Sequence, residues 1–145
     1  MKRLLMLLGL TLCLAGCDSM PSMNERFSPV DPQARTFDAD HGTTFRAALE
    51  ALKRIDFVQT KAAQSQGRIE GRSGLRGDDA FREVRQYTME IKLNDIDDTH
   101  TEVSVLLKEQ AEGDLRPGAT NQPLRSHGLY DAYFAALGGA IKESK

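Results

Sequence analysis

The pattern of apolar and polar positions divides this chain into three stretches. Leu4 to Leu14 is an apolar run broken only by Gly9 and Thr11, preceded by Lys2 and Arg3. Asp18 to Ala34 shows little apolar periodicity and holds Pro21, Pro29 and Pro32 among serines and asparagine, the composition of a tether. From Arg35 onward the periodicities of folded structure begin. Arg35–Ala39 reads as a short strand. Asp40 follows as a helix N-cap, its carboxylate placed to accept from amides two or three residues on. Phe45, Ala48, Leu49, Leu52 and Ile55 recur at helical spacing, which predicts a helix over Gly42–Ile55 with one apolar stripe.

Strand patterns come next. Phe57–Lys61 is short and β-rich, Gln64–Gly67 supplies a turn, and Arg68–Arg72 is a second strand weakened by Gly71. Ser73–Asp79 reads as a loop around Gly74 and Gly77. Tyr87, Met89, Ile91 and Leu93 alternate with Thr88, Glu90, Lys92 and Asn94, a period of two with one wet face. Asn94–Thr99 is an Asp-rich turn, and Thr101, Val103, Val105 and Leu107 mark a further strand. Gln110–Gln122 reads as a long polar loop, with Gly113, Pro117 and Gly118 as breakers. Ser126 is placed to cap a last helix whose stripe is Tyr130, Tyr133, Phe134, Leu137 and Ile141.

The element order is therefore β-α-β-β-β-β-α. Short connections between strands imply an antiparallel meander, and the two helical stripes are what can cover its apolar face. The expected fold class is α+β, a two-layer sandwich with both helices on one face of the sheet. The expected organisation is a signal segment at 1–16, a tether at 17–34 and one domain at 35–145.

The first apolar run has the three parts of a secretory signal, and it is shorter than the roughly 20 residues needed to span a bilayer. It closes on Leu14-Ala15-Gly16-Cys17. That stretch resembles the lipobox of bacterial lipoproteins. The resemblance implies cleavage between Gly16 and Cys17, a diacylglyceryl group on the Cys17 sulfur and acylation of the new amino terminus. Two or more acyl chains give a stable anchor where one gives marginal binding. Asp18, next to Cys17, resembles the signal that retains such proteins in the inner membrane of enteric bacteria. The inner membrane is therefore slightly favoured over the outer, with the domain facing the periplasm.

A second resemblance rests on Thr36–Asp40 leading into Phe45–Leu52, on Gly67–Gly71, and on the long hairpin Tyr87–Leu107. These runs resemble small envelope lipoproteins of unknown function. They are also similar to the helix-grip domains of BamC, a lipoprotein of the outer-membrane barrel assembly machine. The shared motifs are packing motifs, so no catalytic residue is implied.

Composition narrows the function classes. The chain has 19 basic and 21 acidic side chains. Loss of residues 1–16 removes Lys2, Arg3 and no acid, which leaves 17 against 21, near −4. Nucleic acid, which selects a basic face, is not an expected partner. The two cysteines are Cys13 and Cys17, so the processed chain would hold no free thiol for nucleophilic or redox chemistry. His41, His100 and His127 lack metal-ligand spacing and read as solvated residues at element ends. Asp95, Asp97 and Asp98 fail the EF-hand pattern, since His100 stands where its glycine is required and Leu106 where its glutamate is.

Arg76-Gly77-Asp78 spells an adhesion tripeptide within a loop expected to hold glycine anyway. Arg68, Arg72, Arg76, Arg82 and Arg85 form a basic stretch with two readings: a partner surface for anionic lipid head groups, or, as favoured, a wet sheet face on which Arg68 and Arg72 pair with Glu83 or Glu90 across strands. No enzyme, metal or cofactor is expected. The expected function is a lipid-anchored accessory or interaction module of the cell envelope, held to the membrane through Cys17 and docking on an envelope protein. The alternative is a binder of an apolar ligand or lipid between helix and sheet, lined by Tyr87, Met89, Tyr130, Tyr133 and Phe134.

Overall fold

The structure is a computed structural model that describes residues 29–78, 83–113 and 116–144. The signal segment, the Leu14–Cys17 motif and the tether as far as residue 28 lie outside the described residues. The elements in chain order are β1 (Gln33–Phe37), α1 (His41–Arg54), β2 (Phe57–Ala63), a 3-10 turn (Gln64–Gln66) and β3 (Arg68–Ser73). They continue with β4 (Arg76–Asp78), β5 (Glu83–Asp97), β6 (His100–Gly113), β7 (Arg116–Pro123) and α2 (Gly128–Glu143).

One antiparallel sheet runs β1-β6-β5-β3-β2, with β4 beside β5 and β7 beside β6. Both helices pack on one face of it, the expected α+β arrangement. The alternating apolar residues supply the reason. Met89, Ile91, Leu93, Val103, Val105 and Leu107 are all buried, as are Phe45, Ala48 and Leu52 of α1 and Tyr130, Tyr133, Phe134 and Leu137 of α2. Their intervening neighbours Lys92, Glu90, Ser104 and Lys108 face away from the helices. No described helix is long and apolar enough to cross a membrane.

Asp40 caps α1, its side chain accepting from the Thr43 amide at 2.9 Å. This bond holds the Asp40 carboxyl below its ordinary range. The helix stripe is displaced from the expected one. Leu49 and Ile55 are only partly buried, while Thr44, Ala47 and Ala51 are buried. The reason is that α1 packs on α2 as well as on the sheet, so the buried arc widens toward its small residues. Arg54 closes the far end of that contact on Glu143, with Nη1 donating to Oε1 at 3.0 Å.

Several boundaries differ from expectation. β1 starts two residues earlier, at Gln33, and Val30 before it is half-buried. The Asp-rich turn shrinks to Asp98–Thr99, because β5 continues to Asp97. Asp97 then holds the turn by accepting from the Thr99 amide at 2.7 Å. This bond, with His100 beside it, lowers the Asp97 carboxyl to about 2.

The largest correction concerns Gln110–Gln122. The expected polar loop is mostly sheet: β6 runs to Gly113 and β7 pairs back along it, with Lys108 opposite Pro123 and Gln110 opposite Asn121. Among the described residues β7 pairs on one side only, with β6, so Pro117 and Pro123 need supply no ladder amide on the other side, and prolines are tolerated on such an edge. The Arg76-Gly77-Asp78 tripeptide is also strand, paired with Arg85, Val84 and Glu83. The last helix is capped by His127 and not by Ser126, as Nδ1 accepts from the Leu129 amide at 3.1 Å. The ring is held in place on Tyr87, with centroids 5.2 Å apart.

Candidate functional site

Among the described residues, concavity and polar chemistry meet at the following surfaces. The first, larger than the two described after it, lies on the outer face of the sheet, opposite the helices. It is a trough of about 730 Å³. Two transverse rows of residues build it, and the registers define them. The first row runs Ala63, Arg68, Lys92, Ser104 and Ala34. The second runs Lys61, Glu70, Glu90 and Leu106, with Pro32 at its end.

The expected pairing of Arg68 and Arg72 with Glu83 or Glu90 is not what the strands bring together. Glu90 stands opposite Glu70, and the two acids are drawn outward to different lysines. Lys108 Nζ lies 2.6 Å from Glu90 Oε1, and Lys61 Nζ lies 3.0 Å from Glu70 Oε2. Thr60 also donates to Glu70, at 2.8 Å. The Lys61 contact, then Thr60, lower the Glu70 pKa. Glu83 sits far along the hairpin, opposite Asp78 and Gly113. Arg68 is left opposite Lys92, a like-charge pair.

The second surface is a small cleft of His41, Gln64, Ser65 and Asp95. His41 was expected to be solvated. Its side chain is only 27% exposed and sits between two acceptors. Nδ1 is 2.7 Å from Asp95 Oδ1, and Nε2 is 3.0 Å from the Gln64 carbonyl. Burial disfavours the charged ring, but Asp95 and the Gln64 carbonyl outweigh it, and the pKa is raised. A raised pKa in the folded state contributes stability that is complete below the unfolded value near 6.5. That contribution is lost as pH rises through the folded value. The stability gap between the native chain and Asp95→Asn should therefore be wider at about pH 5.5 than at about pH 8.5. Thermal melts at the two values check it; an equal gap contradicts the pairing.

The third is a shallow groove between the helices, lined by Arg46, Ala47, Glu50, Arg54, Ala140 and Glu143. Its charged groups are largely paired with one another, as Arg54 is with Glu50 and Glu143.

Among the described residues no nucleophile–base–orienter set is assembled around the three histidines. His100 is held by Asp97 in its own turn, and His127 caps α2. Among the described residues no group of three or more His, Cys, Asp or Glu is arranged to hold a metal ion. The five side chains expected to line an apolar cavity are buried members of the continuous core. Tyr130 is also fixed by its hydroxyl, which donates to the Leu124 carbonyl at 2.7 Å and accepts from the Leu107 amide at 2.9 Å. The like-charge row was missed in the sequence because it depends on register. Alternation put Arg68, Glu70, Glu90 and Lys92 on the wet face, but not which stood opposite which.

No protein-family model matches this chain, and no curated protein does. Among solved structures it is similar to the adenylate sensor from AMP-activated protein kinase, crystallised with 5-aminoimidazole-4-carboxamide 1-beta-D-ribofuranotide. The identity is 16%, over 74% of this chain and 94% of that one, with a TM-score of 0.44. A likeness of that degree carries no argument about function.

Proposed function

We propose that this protein is a lipid-anchored accessory module of the bacterial cell envelope, tethered through Cys17, with its folded domain facing the periplasm. It acts by docking on an envelope protein and has no catalytic role of its own. The observation that carries the reading is the Leu14-Ala15-Gly16-Cys17 motif behind a charged and apolar leader. Asp18 favours retention in the inner membrane.

The docking surface is the outer sheet face together with the free edge of β2, where Val58 is 70% exposed. Three features support this. The helices cover only the opposite face. Gln110–Gln122, the other candidate docking segment, is tied into the sheet as far as β7 reaches. Among the described residues β2 pairs only with β3, which leaves its outer backbone groups available there to an added strand. The reading of an apolar ligand between helix and sheet is weaker, because the side chains it would use fill the core.

The anchor is tested by Cys17→Ser in a bacterial host fed a clickable fatty acid. Serine offers no thiol for diacylglyceryl transfer, so the variant should lose the label and accumulate as the uncleaved precursor. Equal labelling of the two chains would contradict the anchor.

A further inference from the structure

We infer that the centre of the outer trough is a binding site for a phosphate monoester group, held between Arg68 and Lys92. The inference goes beyond the docking reading. It shares only the premise that the outer face is open.

Arg68 and Lys92 are direct cross-strand partners on adjacent central strands, and their side chains leave the sheet on the same face. Like charges directly opposite weaken a sheet. Nothing within the described residues relieves this pair. Neither side chain has an ion pair or hydrogen bond there, and both are exposed.

The register sets three acids around them: Glu70 and Glu90 in the next row, and Glu102, diagonal to Lys92 across β5 and β6. Glu70 is engaged by Lys61 and Thr60 and Glu90 by Lys108, while Glu102 accepts from Asn94 Nδ2 at 3.4 Å. The two lysine–glutamate pairs cancel internally. The middle of the trough is left lined by two positive charges, with Glu102 at its border, a net positive field suited to an anion such as a phosphate group.

The surroundings fit the rest of such a group. Ser104 follows Lys92 in the same row, half-buried, with a hydroxyl that makes no hydrogen bond within the described residues. It adds a neutral donor to a guanidinium and an ammonium, a set suited to several phosphate oxygens. Leu106, Ala63 and Pro32 give the trough an apolar margin beside the cations. The group bound is therefore a phosphate carried on a partly apolar body, or phosphate itself. A lipid head group and a soluble phosphate share this chemistry.

The test reads acylation of individual lysines by an amine reagent, using the full-length chain. In neutral detergent, added inorganic phosphate should slow acylation of Lys92 in a saturable way and leave Lys53, on the exposed face of α1, unchanged. Arg68→Gln should weaken that protection about tenfold, the loss of one charge-assisted contact. The same variant should melt no lower than the native chain, since it removes a repulsion. That pairing of outcomes separates a ligand site from a structural one. In phosphatidylcholine vesicles without added phosphate, protection of Lys92 that appears only when phosphatidic acid is included identifies a head group as the source. Protection by inorganic phosphate alone identifies a soluble one. No protection in either arm, equal protection of Lys53, or a lower melting temperature for Arg68→Gln with unchanged protection would each overturn the site. None of these readings depends on fatty-acid labelling of Cys17, so the anchor and the anion site fail separately.

Discussion

Leu52→Ala is expected to cost about 2–5 kcal/mol, and much of that loss should reappear as a gain once Gly71 is also changed. Leu52 is fully buried on α1, over the sheet. Truncating it forfeits transfer energy and leaves a cavity. The position beneath it is Gly71 of β3. A Cβ built there would lie 2.9 Å from each of the two Leu52 δ-carbons. Gly71→Ala alone therefore overpacks this point, at about 1–3 kcal/mol. In the double variant the new methyl enters the space that Leu52 vacates. The two effects should fall short of their sum by about 1 kcal/mol or more, the size of coupling seen between residues in contact. Chemical denaturation of the four members of the cycle measures this. Strict additivity would show that α1 does not rest on β3 at this point.

Gly67→Ala should be at least as damaging, for a different reason. Gly67 closes the 3-10 turn in the left-handed region, at φ 60° and ψ 31°. A non-glycine residue there costs about 1–2 kcal/mol. The site is also tight. An added Cβ would fall 2.5 Å from the Leu93 carbonyl oxygen, and that neighbour is backbone and cannot rotate away. The same residue accepts from the Leu93 amide at 2.7 Å, so relief of the clash would break this bond. The combined loss is expected at about 2–5 kcal/mol, which for a domain of this size means a fall of roughly 10 °C or more in melting temperature. Gly74→Ala, where a Cβ meets nothing within 4 Å, is the control and should change little. Equal effects at the two positions would contradict the turn geometry.

These two glycines show how much of the fold was legible in the sequence. Gly67 announced itself, because Gln64-Ser65-Gln66-Gly67 carries turn chemistry. Gly71 registered only as a weakness in a strand; its use is an approach by Leu52 that no local pattern encodes. Period-two alternation from Tyr87 and from Thr101 located β5 and β6 and their buried faces, because burial on one side imposes that pattern. It did not locate their ends. Glu83–Gln86 and Gln110–Gly113 are held by ladder bonds to each other, and such bonds are indifferent to side-chain polarity. β7 was hidden for the same reason, with Pro117 and Gly118 arguing for a loop until an edge position made them tolerable. Asp40 was readable as a cap because its carboxylate precedes the stripe by the right interval. His127 was not, because a histidine seldom fills that role and here depends on Tyr87 to hold its ring.

The candidate site was legible only in part. Cys17 and the anchor proposed for it rest on contiguous residues, and contiguous motifs survive in sequence. The outer trough is a matter of register across five strands. Composition supplied its charges, but the pairing of Arg68 with Lys92, and of the two glutamates with outer lysines, follows from bulges and turns that shift a strand by one residue at a time.

The account's central claim is that this module works through its outer sheet face while held at the membrane. Photo-crosslinking in intact cells tests it most directly, with the reactive side chain placed in turn at Leu106 and Val58 on the outer face and β2 edge, and at Lys53 and Asp131 on the helices. The account predicts one discrete adduct with an envelope protein from positions 106 and 58, lost in Cys17→Ser, and none from 53 or 131. Adducts from the helix positions alone, or outer-face adducts unchanged when Cys17 is replaced, would contradict it.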